Sequence, residues 1–434
     1  MSQVNIGIIG FGTVGVGTFE ALNTNQELIS NRVGAKVVVK KIADLDLETD
    51  RGIFVDPNIM TTNAMELIDD PEIDIIVELM GGLEKAEEFI IKAMKNGKHV
   101  VTANKALLAE KGKKIYRAAI KYGTNISFEA SVGGGIPIIG ALKNGLSANR
   151  IKTIIGILNG TSNYILTRMT NEGLPYEQIV QEAVKLGFAE DPPTLDVNGT
   201  DAAHKLAIIV SIIFGVPVSF DQIYREGIDF ITPDDIRFAD EFGYKIKLLA
   251  IARDLGEDLE IRVHPAMISK HHILANVNDA YNAIFLEGDF VGPNLFYGLG
   301  AGKHPTGSAV AADIMNVARQ IKLGAKNFIP PLAHAIQPKQ DICIHSIDEL
   351  TCAYYIRFSA LDQPGALSRI SGILGKHDIS ISSVIQKGRQ INGSVSIVML
   401  THESWEIQVR NALEKMNGME ILTAKPVMIR VEQQ

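Results

Sequence analysis

The sequence predicts an α/β protein in three parts: an N-terminal doubly wound parallel sheet, an α+β middle region, and a C-terminal ferredoxin-like unit of order βαββαβ. Three observations predict it. The apolar stretch Val4-Asn5-Ile6-Gly7-Ile8-Ile9 runs straight into Gly10-Phe11-Gly12-Thr13-Val14-Gly15 and then a helical pattern, which reads as strand, glycine turn and helix. Strand and helix patterns alternate from there to about residue 128, as parallel strands joined by crossover helices require. Beyond a polar, proline-bearing stretch the pattern resets at residue 354 into strand alternation followed by a helical stripe.

Composition sets the frame. With 434 residues, 46% of them apolar, the chain exceeds one hydrophobic core and suggests about three domains of ordinary size. The balance of 42 basic against 50 acidic residues gives a net charge of -8, and no Lys/Arg block stands out, so nucleic acid is not expected as a partner. Cys343 and Cys352 are the only cysteines, and the N-terminus enters a strand at once with no leader pattern, which points to a reducing cytoplasm. The longest apolar run, 206–214, falls far short of the roughly 20 residues of a membrane-spanning helix, so no membrane partner is expected.

In the first part, Gly10 permits a tight turn, Gly12 lets backbone N–H groups approach a pyrophosphate, and Gly15 lets helix pack closely on strand. With Phe11, Thr13 and Val14 they form a loop that would set a dinucleotide phosphate at the positive end of a helix running to about residue 28. The second strand, 37–43, ends at Asp44, where a carboxylate would accept hydrogen bonds from the adenosine ribose of NAD and disfavour the 2′-phosphate of NADP. Lys40 and Lys41 lie nearby and the interval from Gly15 exceeds the usual one of about 20 residues, so either cofactor stays open. Further strands are predicted at 73–79, 99–102 and 125–128. Ligands bind outside the carboxyl ends of such strands, which puts Lys105, in Thr102-Ala103-Asn104-Lys105, toward the nicotinamide. Taken alone, Lys105 also reads as a surface lysine at a helix start. The stretch from Phe128 through Glu129 and Val132-Gly133-Gly134-Gly135-Ile136 to Pro137 is a glycine-rich turn, by residue type a hinge between domains.

The middle region opens with a strand near 154–158 and Asn159-Gly160-Thr161-Ser162-Asn163-Tyr164, where Asn159 and Thr161 are candidates to line a pocket and equally serve as strand end and helix cap. Chemistry concentrates at 187–205. There Glu190, Asp191, Asp196 and Asp201 precede Lys205 at the start of an apolar helix, so carboxylates could grip an ammonium substrate while the lysine handles a proton. Asp201 and Lys205, four apart, project from one helical face. A solvent-facing ion pair is the alternative, but the helix continues apolar all round, which implies burial. Gly298-Leu299-Gly300-Ala301-Gly302 suits close approach of backbone to a ligand, and a helix is predicted over 308–323. His271 and His272 lack partners at metal-ligand spacing, so no transition metal is expected. In the last part, strand 354–360, the turn Asp362-Gln363-Pro364-Gly365, a helix carrying Leu367, Ile370, Ile373 and Leu374, strands 379–385 and 394–400, helix 404–416 and strand 421–429 complete βαββαβ.

These motifs resemble those of the homoserine dehydrogenases over essentially the whole chain: G-F-G-T-V-G at 10–15, T-A-N-K at 102–105, N-G-T-S-N-Y at 159–164 and the block G-F-A-E-D-P-P-T-L-D-V-N-G-T-D-A-A-H-K at 187–205. The resemblance implies NAD(P)-dependent interconversion of L-homoserine and L-aspartate 4-semialdehyde by a Rossmann-type nucleotide domain and a catalytic and dimerisation domain. Lys205 would be the proton donor and acceptor, Glu190 and Asp201 would hold the amino acid, and Lys105 would be the second lysine of the site. Gly187 and Gly302 would border the cofactor. A monovalent cation, usually sodium, would be held at Glu129, Val132, Gly134 and Ile136, fixing the domain junction. One departure is local: the family usually reads G-F-A-E-A-D-P, whereas here Glu190 is followed by Asp191-Pro192-Pro193, which removes support for Asp191 as a substrate contact.

The D-Q-P-G-A-L turn resembles the ACT domain, a module that binds amino acids at paired interfaces, with Asp362 and Gly365 on the ligand side and L-threonine as the implied effector. The implied domains are 1–140 with about 306–325 for the nucleotide, 141–305 for catalysis and dimerisation, 326–348 as linker and 349–434 as ACT. With no aspartate-kinase region ahead of it, the chain is expected to be monofunctional. A homodimer through the middle domain, or a homotetramer with ACT pairing, is implied. Two other classes share parts of the pattern. An ACT-bearing dehydrogenase for a phosphorylated hydroxy acid would need an Arg/His catalytic arrangement, and a non-catalytic amino-acid sensor would have no use for two lysines among carboxylates.

Overall fold

A strand buried on both faces must be apolar on both, and the central strand Ile75–Glu78 of the first unit's parallel sheet, with Ile75, Ile76 and Val77 all buried, is of that kind. In a computed structural model, which describes residues 2–185, 192–256, 258–325, 329–336, 343–387 and 393–432, the chain forms two compact units. The first comprises residues 1–160, 201–223 and 281–342; the second comprises 161–200, 224–280 and 343–434. In the first, β1 (Gln3–Ile9), β2 (Lys36–Ala43), β3 (Met60–Thr61), β4 (Ile75–Glu78), β5 (His99–Thr102) and β6 (Ile126–Ser127) form one sheet of order β3-β2-β1-β4-β5-β6. Its pairs are parallel. Ile6, Ile8, Val37, Ile42, Ile75, Val77 and Val101 form its core with side chains from the flanking helices. The order reverses direction at β1 and β4, so the crevice that accepts a ligand opens there, beyond the carboxyl ends of the strands.

Two helices depart from the sequence expectation. The one predicted to run to about residue 28 ends at Thr24 and restarts as Gln26–Val33, with Asn25 out of helical geometry at φ -102 and ψ 23. Asn23, Thr24 and Asn25 are residues that bond local backbone better as caps than within a helix. The other, expected over 308–323, spans Lys303–Lys322. Pro305 reads as a helix breaker in the sequence, yet it falls in the first turn, where its missing N–H costs nothing. This helix packs on Thr13–Thr24 through two glycines: a Cβ on Gly17 would lie 2.1 Å from the Lys303 carbonyl, and one on Gly307 2.5 Å from the Gly17 backbone. The same unit holds the antiparallel strands Ile151–Ile157, Tyr281–Gly288 and Gly292–Leu299, and most of the helix Thr200–Phe214, buried on every side from Asp201 to Ile212.

In the second unit, the hairpin Tyr244–Asp254 and Asp258–Ser269 is joined edge to edge by Val427–Glu432, which pairs parallel with it, Arg430 opposite Ala266. Thr351–Leu361, Ser394–Thr401 and Ile381–Gln386 follow in the same sheet, antiparallel throughout, giving the ferredoxin-like order. Helices Ala366–Lys376 and Glu406–Met416 cover Tyr354, Ile356, Phe358, Ile397 and Met399. The last strand starts at Val427 and not at the expected 421, because Pro426 cannot donate to a ladder. The helix Pro233–Glu241 meets the strand Thr351–Leu361 through Asp235, which is fully buried: Arg357 donates to it at 2.6 and 2.9 Å and the Tyr355 hydroxyl at 3.0 Å. Among the described residues no helix is long and apolar enough to cross a membrane.

Candidate active site

The glycine loop is shaped by what surrounds it. Gly10, at φ +94, could carry no side chain, since a Cβ would lie 2.6 Å from the Leu79–Met80 peptide just past β4. Gly15 is equally constrained by the Gly10 carbonyl at 2.4 Å, whereas a Cβ on Gly12 would meet nothing within 4 Å, so that face is open to a ligand. Phe11 donates its backbone N–H to Asp44 Oδ2, and Asp46 N–H donates to Oδ1 at 2.9 Å. Asp44 therefore also ties the end of β2 to the glycine loop. Arg51, a residue the sequence reading did not single out, approaches Asp44 Oδ1 at 3.5 Å and sits 5.7 Å from the Phe11 ring centroid.

The loops after β4 and β5 are fastened together. Glu78, fully buried, accepts from the Thr102 hydroxyl at 2.6 Å and from Met80 N–H at 3.0 Å, and burial holds its carboxyl above the usual range against those bonds. Asn104 caps the helix Lys105–Tyr122 by accepting from Leu107 N–H at 3.1 Å, while its amide donates to the Gly82 carbonyl at 2.7 Å. That network fixes where Lys105 leaves the backbone.

Lys105 Nζ lies 2.7 Å from Asp201 Oδ1, and Lys205 Nζ lies 2.7 Å from Asp201 Oδ2. One buried carboxylate is shared by two ammoniums. Lys205 also donates to the Leu158 carbonyl at 2.6 Å, and Asn159 donates to Asp201 Oδ2 at 2.9 Å. Burial alone would raise the Asp201 carboxyl; Lys205 and Lys105 overcome it and hold the group well below the usual carboxylate range. Asp201 and Lys205 are 4% and 7% exposed, so the solvent-facing ion pair weighed from sequence is excluded. Leu158 is held in turn by Asn282, whose amide donates to the same carbonyl at 3.0 Å.

The turn at 129–137 packs on the second glycine-rich segment: a Cβ on Gly134, at φ +55, would lie 2.6 Å from the Gly300 backbone, and Gly135 N–H donates to Leu299 at 3.1 Å. Glu129 is buried, its carboxylate accepting from Ile139 and Gly140 N–H at 2.7 and 2.6 Å, and its own N–H donates to Asp313 at 2.7 Å. Val132 and Ile136 are buried beside it. Gly302, at φ +125, opens the helix Lys303–Lys322. Gly187 and Glu190 lie in 186–191, outside the described residues. Asp362 and Gly365 form the turn between the strand Thr351–Leu361 and the helix Ala366–Lys376, with Gly365 left-handed at φ +87.

Of the residues gathered at the candidate site, sequence reasoning assembled Lys105, Asp201 and Lys205, and missed Arg51, Glu78 and Asn282. Arg51 sits in a polar loop whose only signal was its closeness to the end of β2. Glu78 is the single polar residue of its strand and Asn282 the one buried polar residue of its own, a signal that does not name a partner.

Comparison with known proteins agrees across the chain. A family model described as homoserine dehydrogenase matches residues 137–315, one described as homoserine dehydrogenase, NAD binding domain, matches 10–129, and one for the ACT domain matches 354–418. The chain is 43% identical over 432 residues to a homoserine dehydrogenase of Neisseria gonorrhoeae, covering 100% of this chain and 99% of that one. Among solved structures, a homoserine dehydrogenase from Thiobacillus denitrificans superposes with a TM-score of 0.92 at 43% identity, over 100% of this chain and 99% of that one. A hyperthermophilic archaeal homoserine dehydrogenase in complex with NADPH covers 73% of this chain and 97% of its own, at 27% identity and a TM-score of 0.62. The remaining dehydrogenase and sensor alternatives fall away, and the chain belongs to the homoserine dehydrogenases, nicotinamide-dependent oxidoreductases of amino-acid biosynthesis.

Proposed function

We propose that L-homoserine is oxidised here on two lysines that share one carboxylate, with Lys205 taking the hydroxyl proton. The observation that carries this reading is the array Lys105–Asp201–Lys205, both contacts at 2.7 Å. The two ammoniums gathered on Asp201 suit a substrate bearing an α-carboxylate, while Asp201 and Glu190 would face its ammonium. The nicotinamide, when bound, accepts the hydride from the carbinol carbon. Lys205 in its neutral form removes the hydroxyl proton as the C–O bond becomes a carbonyl, and returns it in the reverse direction. Asp201 and the Leu158 carbonyl keep Nζ in place through both states, and Lys105 stands at the nicotinamide side.

Gly10 to Gly15 would cradle the pyrophosphate, with Gly187 and Gly302 at the border of the cofactor. Arg51 beside Asp44 supports use of NADP, since a guanidinium there meets a 2′-phosphate that Asp44 alone would repel. A sodium ion would be held by main-chain oxygens at Glu129, Val132, Gly134 and Ile136, because the Glu129 carboxylate is already engaged by two amides. A hard monovalent cation accepts such an all-oxygen set. The exposed side chains of Leu295, Tyr297 and Leu299 with Tyr281, whose ring stacks on Tyr297 at 5.0 Å, support a homodimer through this edge strand. ACT pairing would extend it to a tetramer. L-threonine would bind at the turn of Asp362 and Gly365 and lower activity, and the enzyme would work in the cytoplasm. In domain terms, 1–140 with 306–325 binds the nucleotide, 141–305 the substrate and 349–434 the effector, after a linker at 326–348.

The test is nicotinamide reduction by L-homoserine at alkaline pH, with NAD and NADP in parallel and with or without L-threonine. Turnover that Lys205→Ala abolishes, with cofactor binding kept, is the expected result. Full activity in that variant would remove Lys205 from its role.

A further inference from the structure

We infer that Asn282 is a positioning residue for the proton transfer, acting on Lys205 through the Leu158 carbonyl and seating the glycine segment 298–302 with the same side chain. The inference rests on the reading of Lys205 as the proton carrier.

A lysine that must lose and regain a proton needs its nitrogen held by groups that do not depend on its charge. Once neutral, the amine keeps two N–H bonds, and two acceptors stand at 2.6 and 2.7 Å from Nζ: the Leu158 carbonyl and Asp201 Oδ2. With those two filled, the lone pair points away from both. The aim of that lone pair is then set by where the Leu158 oxygen sits. Leu158 follows the strand Ile151–Ile157, beyond its last ladder residue, so no strand partner fixes its carbonyl. Asn282 supplies the missing restraint. Its amide donates to Leu158 at 3.0 Å from the neighbouring strand Tyr281–Gly288, and it is fully buried, so water does not compete.

The same amide packs against the glycine segment. A Cβ on Gly300 would lie 2.1 Å from Asn282 Cγ, 2.2 Å from Nδ2 and 2.4 Å from Oδ1, so Gly300 is glycine because Asn282 occupies the space. Asn282 Oδ1 is buried with no hydrogen-bond partner among the described residues, a desolvation cost that a purely structural residue such as leucine would avoid. The amide is retained for its donor. Two components of the site therefore meet on Asn282: the carbonyl that holds Lys205 and the glycine segment leading to Gly302, on whose Gly300 the Gly134 turn packs in its turn.

The test uses the full-length enzyme, with kcat and KM measured across pH in both directions for Asn282→Ala, Asn282→Asp and Lys205→Ala. Loss of the donor lets the Leu158 carbonyl drift, so Asn282→Ala should lose about 10- to 100-fold in kcat, with a smaller rise in KM for the cofactor from the unseated segment 298–302. Asp at 282 can donate to Leu158 only while protonated, so Asn282→Asp should come close to wild type at low pH in the aldehyde-reducing direction and lose activity progressively as pH rises. Wild-type kcat in both variants, or equal losses at every pH, would make Asn282 a packing residue and overturn the inference. So would failure of both to fold. If Lys205→Ala is fully active, the reading of Lys205 falls and takes this one with it; if Lys205→Ala is dead while the Asn282 variants match wild type, this one alone fails.

Discussion

Replacing Asp201 with asparagine removes one charge and almost no volume, and its cost can be worked from the two contacts. Lys105 is 43% exposed at the side chain, so its pair with Asp201 is screened and adds about 0–1 kcal/mol. The Lys205 pair is 9% and 5% exposed, and removing one partner of a buried pair costs about 3–5 kcal/mol because the remaining ammonium is stranded. The loss should thus be dominated by Lys205 and total roughly 3–5 kcal/mol at pH 8. Its pH dependence follows from the sign of the shift. The Asp201 carboxyl is held below its ordinary value, so its contribution is complete above the unfolded carboxylate range and disappears only as pH falls through the lowered folded value. The gap between wild type and Asp201→Asn should therefore be flat from about pH 6 to 9 and narrow only in acid. Without its carboxylate, Lys205 releases its proton more readily, so the rising limb of homoserine oxidation should move to lower pH by about 1 unit or more even as kcat falls. Urea unfolding at several pH values and a kcat profile would measure both. Wild-type stability at pH 8 together with an unmoved limb would refute the shared-carboxylate argument.

Three further outcomes are expected. Arg51→Ala should raise KM for NADP by about 10- to 100-fold, the worth of a charge-assisted hydrogen bond, and leave NAD unchanged; equal changes for both cofactors would retire the 2′-phosphate contact. Burial pushes Asp313 up to about 7, against the bond from Glu129 N–H, so its stabilising contribution is present in acid and lost as pH rises to that value. Asp313→Asn should then gain up to about 4 kcal/mol over wild type at pH 8, about 2 kcal/mol at pH 5 and little at pH 3.5, and a gap that does not grow with pH would count against it. Asp235→Asn should lower the unfolding free energy by about 3 kcal/mol through the loss of the Arg357 pair and weaken any threonine inhibition, read from dose–response curves of variant and wild type.

What the sequence displayed was period and punctuation. The glycine loop, five of the six parallel strands and the ferredoxin-like order follow from alternation and turn residues, each a property of neighbours in the chain. The apolar continuation of Thr200–Phe214 announced that Asp201 and Lys205 are buried, and the structure buries both. The errors arise where a residue answers to a distant partner. Pro305 and Gly307 look like breaks until the helix Thr13–Thr24 is set beside them, at which point Gly307 is a contact and Pro305 a first-turn residue. Gly133 to Gly135 read as a hinge because glycine means freedom in an isolated chain, yet Gly134 is glycine because the Gly300 backbone stands where its side chain would be. Asn282 sits 124 residues from Leu158, the group it holds, and Arg51 answers to a loop that begins at Gly10. A polar residue among the apolar ones of a strand signals that burial must be compensated, but only the fold states what compensates it. For Asn282 that partner is the Leu158 carbonyl that also accepts from Lys205, which is why its substitution should be read in the pH profile of the reaction as well as in stability.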